Sequence, residues 1–262
     1  MSLVNVKNLH DSRIQSDRYI SPKIWLILPL LPGLLFSLAF MLQLPLFIDI
    51  ANMENLNPSQ EKVAIATVFS QVFYMVIFGI ITSILGAILS AYWVYMLHQR
   101  RNDHFERQQK FFGIISNILN QKQPNSEANK MFVNSLESIK LQEIQRNAIF
   151  WAVLYVIPVV NIISFLFTHL TLMKVFYEHE INENRCIEDL RVLLNQYNLS
   201  YTYERTYSLP RRNRLLYIIL TIITFGLFVF YWNYILMKDP NTHFNEHNEL
   251  ESQLISLLEQ IP

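Results

Sequence analysis

Four stretches of this chain, Ile24–Leu46, Val63–Leu97, Ala148–Leu172 and Leu215–Met237, run without a single Asp, Glu, Lys or Arg. Each is as long as a bilayer crossing, since a hydrocarbon core about 30 Å thick takes about 20 helical residues. Inside lipid the backbone must satisfy its own hydrogen bonds, which leaves the helix as the form for an isolated span. The chain therefore reads as all-α, an integral membrane helical bundle with four transmembrane helices. A composition that is 52% hydrophobic and only 16% charged agrees with this. Pro29, Pro32 and Pro45 make the first block a kinked span, and its 23-residue leader of mixed charge argues for a retained helix over a cleaved signal.

The polar stretches between the blocks set the remaining organisation. Residues 1–23 form a polar N-terminus, and 24–46 and 63–97 are the first and second spans. Residues 98–147 read as a cytoplasmic helical hairpin, anchored on that side by Arg100, Arg101, Arg107 and Lys110. One stripe of it carries Phe105, Phe112, Ile115 and Leu119, and the other carries Phe132, Leu136, Ile139 and Ile144. The third span is 148–172, then 173–213 is an amphipathic helix followed by a strand-like or extended linker over 199–207. The fourth span covers 214–237 once Arg214 at its edge is included, and 238–262 is a polar helical tail. Turns are expected at 55–59 and 123–126. In the second span Gly79, Ser83, Ala87 and Ala91 recur every four residues, a small-residue line that lets another helix approach closely. In the third, Asn161, Ser164, Thr168 and Thr171 form a polar line suited to interhelical hydrogen bonds, or to a solute pathway.

One motif occurs twice. Tyr92, Trp93, Tyr95, Leu97, Asn102, His104 and Phe105 recur as Tyr231, Trp232, Tyr234, Leu236, Asn241, His243 and Phe244 at a constant offset of 139 residues. Each copy is an apolar helix, an aromatic collar and a polar continuation bearing Asn-x-His-Phe, so the chain carries an internal repeat. Aromatic rings with one polar edge settle at the headgroup level and fix helix depth. Glu178-His179 is a partial third match, 75 residues after His104.

Few residues suggest chemistry. Lys+Arg and Asp+Glu are both 21, so charge gives no reason to expect a nucleic-acid partner. The lone Cys186 excludes an internal disulfide, and no phosphate-cradling glycine motif is present. His243, Glu246 and His247 spell H-x-x-E-H, the spacing of inverted zinc peptidases. In the first copy of the repeat Arg107 and Gln108 take the places of Glu246 and His247, so the metal pair does not recur. We expect no catalytic residue, no cofactor and no metal, with these three residues the ones a metal would use.

The Thr224-Phe225-Gly226, Tyr231-Trp232-x-Tyr234 and Asn241-x-His243 series resembles the signature of an uncharacterised family of small membrane proteins. The resemblance covers about 215–247 well and 80–105 less well. It implies a helical membrane protein of prokaryotic origin and no particular activity. The expected role is a structural or accessory subunit of a membrane complex, with the bilayer and a membrane protein or a second copy as partners. A small transporter built on the repeat and a metalloenzyme at His243 and His247 are the alternatives. The expected location is the cell membrane, multi-pass, with the N-terminus cytoplasmic because Lys7, Arg13, Arg18 and Lys23 precede the first span. Charge raises one conflict. Four simple crossings export 173–213, which holds Arg185, Arg191, Arg205, Arg211 and Arg212, while the tail they retain holds only Lys238. A third span that doubles back near Pro158–Asn161 removes the conflict for 173–213.

Overall fold

The computed structural model describes residues 3–51, 58–122 and 126–261. Its helices are α1 (Leu3–Asp11), α2 (Arg13–Ser16), α3 (Pro22–Ile27), α4 (Leu31–Ala51), α5 (Pro58–Lys122), α6 (Glu127–Gln142), α7 (Ala148–Val156), α8 (Val160–Asn195), α9 (Arg214–Ile223) and α10 (Phe228–Leu258). A 3-10 turn at Leu28–Leu30 joins α3 to α4, around Pro29. No strand occurs among the described residues, and 199–207 is an extended linker. The turns expected at 55–57 and 123–125 lie outside the described residues. Three helices are long and apolar enough to cross a membrane, Pro22–Pro45, Ser59–Lys122 and Val160–Asn195, and Arg214–Ile223 is a shorter apolar helix.

The chain divides into two compact units. The smaller, Lys23–Trp93, holds most of α3, all of α4 and the first half of α5. Here α4 and α5 meet through Gly79, where an added Cβ would stand 3.0 Å from the Phe36 ring, and Gly86, 3.8 Å from Pro32. The close line thus runs at a spacing of seven, Gly79 to Gly86. Ser83, from the expected four-residue line, is exposed, and Ala87 and Ala91 are half-buried.

The larger unit, Met1–Pro22 with Val94–Pro262, contains a soluble-type core. Phe112, Ile115 and Leu119 of α5, Phe132, Leu136 and Ile139 of α6, Leu190 and Leu194 of α8, and Leu250 and Leu254 of α10 are buried together. The α5 and α6 members belong to the apolar stripes that the helical period marks out, whose Phe105 is buried in a second cluster with Phe176, Leu209 and Phe244. Ile144 is the exception and is exposed, because α6 stops at Gln142 and 143–147 runs extended.

The blocks 148–172 and 214–237 are each expected as one continuous helix, and the structure divides both. α7 ends at Val156, Val159 takes a positive φ of 70° beside Pro158, and α8 runs back against α7. Pro158 lacks the N–H that would continue the ladder. Ser164 Oγ donates to the Trp151 carbonyl at 3.0 Å, and Trp151 stacks on Phe167 at 3.6 Å, across this hairpin. The second break falls on Thr224-Phe225-Gly226. Phe225 and Gly226 have φ of 50° and 89°, and Gly226 N–H closes onto the Thr221 carbonyl at 2.8 Å. Glycine adopts this left-handed geometry without Cβ strain. Thr224 Oγ1 accepts from Phe228 N–H at 3.0 Å and so starts α10. Trp232 is fully buried between the hairpins, with ring centroids 5.1 Å from His169 and 5.4 Å from Tyr217.

Candidate metal centre

Just beyond their apolar sections, α5, α8 and α10 each direct a histidine to a common point. His104, His179 and His243 come from three different helices, and His247 follows one turn after His243. One ring nitrogen from each of the four lies within 4.8 Å of all the others. All four side chains are at most 2% exposed.

The arrangement has a cyclic order that the sequence spacing encodes. The residue after each histidine packs on the histidine of the next helix. Phe105 stacks on His179 at 4.3 Å, Glu180 lies 3.2 Å from His243 Nδ1, and Phe244 lies against His104 at 4.4 Å. Four residues on, one helical turn away, the three helices present Gln108, Glu183 and His247 as a second layer. Gln108 donates to Glu183 and lies 3.3 Å from His247 Nδ1, and Glu183 Oε1 is 3.3 Å from His247 Nε2.

Each imidazole is also held from behind by a carboxylate. His104 Nδ1 lies 2.8 Å from Asp17, His179 Nδ1 2.5 Å from Glu143, His243 Nδ1 3.2 Å from Glu180, and His247 Nδ1 3.5 Å from Glu251. For His104 and His179 the carboxylate, which only accepts, fixes the proton on Nδ1 and leaves the lone pair on Nε2, whereas His247 has carboxylates on both sides, with Glu183 3.3 Å from its Nε2 and the Gln108 amide 3.3 Å from its Nδ1. Nε2 of His104 and of His179 has no hydrogen-bond partner in the protein. His243 Nε2 and His247 Nε2 stand 3.0 Å apart. At that distance either one ring carries a proton toward the other's lone pair or a cation lies between the two.

The surroundings are rich in buried acid. Asp17, Glu143, Glu180, Glu183 and Glu251 all approach the histidines. Arg107 pairs with Glu251 at 2.8 Å and Asp17 at 3.1 Å, and Arg205 pairs with Glu183. Arg100 and Arg101 are buried too and feel the charges of Asp17 and Glu143, while their hydrogen bonds go to Asn241 and the Leu236 carbonyl and to Asn102 and the Ile144 carbonyl. Burial favours neutral imidazole and pushes His104 down to about 3, against the opposing pull of Asp17. Burial and then the neighbouring His247 hold His243 well below the usual histidine range. His247 moves the other way, because Glu183 and Glu251 outweigh its burial. Glu251, also raised by burial, is brought down to about 2 by His10, His247 and Arg107.

The asparagines of the repeated motif share one task. Asn102 accepts from Arg146 N–H at 3.1 Å and donates to the Arg146 carbonyl at 2.5 Å. Asn241 accepts from Ile20 N–H at 3.2 Å and donates to the Ile20 carbonyl at 2.8 Å. Each thus grips both polar groups of one linker residue. Arg146 leads into α7 and Ile20 into α3. Asp17 and Glu143, which orient His104 and His179, sit three residues before these gripped positions. Glu180 does the comparable work in α8, accepting from Leu209 N–H at 2.8 Å ahead of α9.

Other residues singled out from the sequence take structural places. Tyr92 packs on Trp25 at 5.8 Å, Trp93 is buried, and Tyr95 is half-buried. Tyr231 lies 6.4 Å from Tyr234, whose ring carries Lys238 at 5.7 Å. Thr168 bonds His98 at 3.2 Å, Asn161 is exposed and Thr171 half-buried. His243 and His247 do belong to the cluster, where the sequence reading expects no metal site. Glu246 does not, since it accepts from Tyr203 OH at 2.5 Å and Thr206 N–H at 3.0 Å. In the sequence His104 reads as a repeat residue and His179 as a partial match to it. Asp17, Glu143, Glu183 and Glu251 carried no sequence signal. The one available clue was the histidine spacing of 75 and 139 residues, each following an apolar helix.

Residues 212–259 match the profile of a family described as a domain of unknown function, DUF4234. The match takes in α9 and α10, with the Thr224-Phe225-Gly226 turn, Asn241, His243, His247 and Glu251. No curated protein and no solved structure matches the chain.

Proposed function

We propose that this is a membrane protein whose helical body outside the bilayer is locked by a divalent transition-metal ion on His104, His179, His243 and His247. The observation that carries the reading is the convergence of four imidazoles, each with Nδ1 turned to a carboxylate. Carboxylate–histidine pairs of this kind orient metal ligands and raise their basicity. Nitrogens about 2.1 Å from a zinc ion stand about 3.4 Å apart in a tetrahedron, between the 3.0 Å of His243 Nε2 to His247 Nε2 and the 4.8 Å within which all four lie. Imidazole donors suit zinc, iron, copper or nickel, and zinc fits a closed four-nitrogen set best. The ion also offsets the excess of buried carboxylate, which is expensive to leave unbalanced.

The role we assign is architectural, a structural or accessory subunit in the cell membrane that meets a membrane partner or a second copy. The ion ties α5, α8 and α10 together at the point where their apolar sections end. The basic residues of 1–23 and 98–147 favour a cytoplasmic body. The resemblance to a prokaryotic family and the shared work of Asn102 and Asn241 support the repeat reading. A zinc-peptidase role is disfavoured because Glu246 is turned away from the histidines. A transport path through the third block is disfavoured because Ser164 and Thr168 already bond within the protein.

Full-length protein purified without a histidine tag and analysed for metals by mass spectrometry is expected to hold roughly one transition-metal ion per chain. The His104→Ala and His243→Ala variants are expected to lose it. Equal metal content in wild type and variants overturns the reading.

A further inference from the structure

We infer that 148–172 and 215–237 are re-entrant hairpins that dip into one leaflet of the bilayer and return, so that 98–147, 173–213 and 238–261 all lie on one side of the membrane. This rests on the backbone and surface of the larger unit and is independent of the metal reading. The partner is the acyl-chain layer of a single leaflet with its headgroups.

Three observations support it. The first is length. α7 has 9 residues and α9 has 10, about 14 and 15 Å at about 1.5 Å per residue, or half of a core about 30 Å thick. The charge-free return arms also fall short of that thickness, about 21 Å in α8, whose whole length is nonetheless apolar enough for a crossing, and about 15 Å in α10. In α8 the charge-free section ends before Lys174, and in α10 before Lys238.

The second is the surface of the tips. Phe225 is 98% exposed and Val159 80%, with Ile162, Ile163, Ile222 and Leu227 all exposed beside them. An aqueous surface rarely carries two such patches. Several polar groups of the same hairpins bond internally, although Asn161 is exposed and the buried Trp232 Nε1 has no hydrogen-bond partner among the described residues. His169 Nε2 meets Asn233 Oδ1 at 2.7 Å, and the Thr221 and Thr224 hydroxyls bond back to helix carbonyls. The second turn closes its own backbone bonds from Thr224 to Phe230, and the first does so from Val160 to Ile162, as non-helical backbone at membrane depth requires. At the base of the second hairpin Arg211, Arg214 and Lys238 are exposed, where anionic headgroups lie.

The third is the charge conflict of four crossings. The arginines of 173–213 sit on the opposite side from 98–147 in that topology, against the usual bias of basic residues to one side. Two hairpins remove the conflict without moving a residue, and they return the tail to the same side as well.

The test uses single cysteines in the full chain with Cys186→Ser. Asn134→Cys, Ser200→Cys and Ser256→Cys, all at exposed or surface positions, are treated with a membrane-impermeant thiol reagent on intact cells and on inverted vesicles. Ile162→Cys and Leu227→Cys carry a fluorophore and are read against lipids with nitroxides at shallow and deep positions. We expect the first three to label only from the same face. We expect the two tips to resist the reagent from both faces and to be quenched several-fold by lipid nitroxides. Ser200→Cys labelling from the face opposite Asn134→Cys overturns the proposal in favour of four crossings. Tips labelled from water, or shielded from lipid quenchers while forming intermolecular disulfides, also overturn it, the latter in favour of a second copy as occupant. Ile163→Cys and Ile222→Cys repeat the tip measurement should either first variant fail to accumulate.

Discussion

The two copies of the Asn-x-His-Phe motif agree in their first turn and part in the next. Asn102 and Asn241 grip a linker residue, and His104 and His243 enter the cluster. Four residues later the copies hold Gln108 and His247, with Glu183 at the matching place in α8. The first layer is thus histidine in all three helices. The second supplies one further imidazole, one acid and one amide. A near-threefold scaffold becomes a specific site through its second turn, where an amide bridges the acid and the extra imidazole.

Substitutions across the layers sharpen this contrast. The largest effect is expected at the shared layer. His104→Ala, His179→Ala and His243→Ala should each reduce metal affinity more than about 100-fold, and a chelator should lower the melting temperature of wild type but not of these variants. Metal analysis and thermal unfolding with and without chelator check this. A variant that keeps both its metal and its chelator response breaks the equivalence of the three helices.

The carboxylates behind the histidines come next. Asp17→Asn and Glu143→Gln should weaken metal affinity about 10–100-fold with the helical content unchanged. Competition with a chromogenic chelator measures it, and unchanged affinity removes these acids from the centre.

The asparagines test whether the copies are equal in weight. Asn241→Ala strips hydrogen bonds from the buried Ile20 backbone and should destabilise by about 2–3 kcal/mol. Asn102→Ala, at the half-buried Arg146, should cost about 1–2 kcal/mol. Denaturant unfolding that shows the reverse order contradicts the burial argument. The smallest effect is expected at Glu246→Ala, which should leave metal content unchanged while loosening the 203–206 linker. A loss of metal there revives the H-x-x-E-H reading.

Much of the helical body is legible in the sequence, and for a simple reason. Phe112, Ile115, Leu119, Phe132 and Leu136 recur at helical spacing because each faces one core across many turns. The hairpins are not legible in that way. An apolar block reads the same whether its helix continues or turns at mid-depth, so only Pro158 and Thr224-Phe225-Gly226 mark the breaks. Glycine within an apolar helix is common enough to pass for packing. The metal centre is harder still. His179 lies 75 residues from His104 with a different neighbour before it, and Asp17 and Glu143 act from linkers without periodicity. Convergence of that kind is a property of tertiary packing, and no local pattern announces it.

The pairing of α1 with α10 carries a consequence for how the protein is made. Lys7 meets Glu259 at 2.5 Å and His10 meets Glu251 at 3.1 Å, so among the first described residues are some whose partners are synthesised near the last. His104 likewise waits for His243 and His247. Contacts this distant in sequence form late, after their loops have closed. The apolar helices therefore leave the ribosome and meet the membrane while the ligand set is still incomplete. Until α10 docks, the acids and histidines of the cluster lack their partners, and on the proposed reading the ion binds only after α10 is in place.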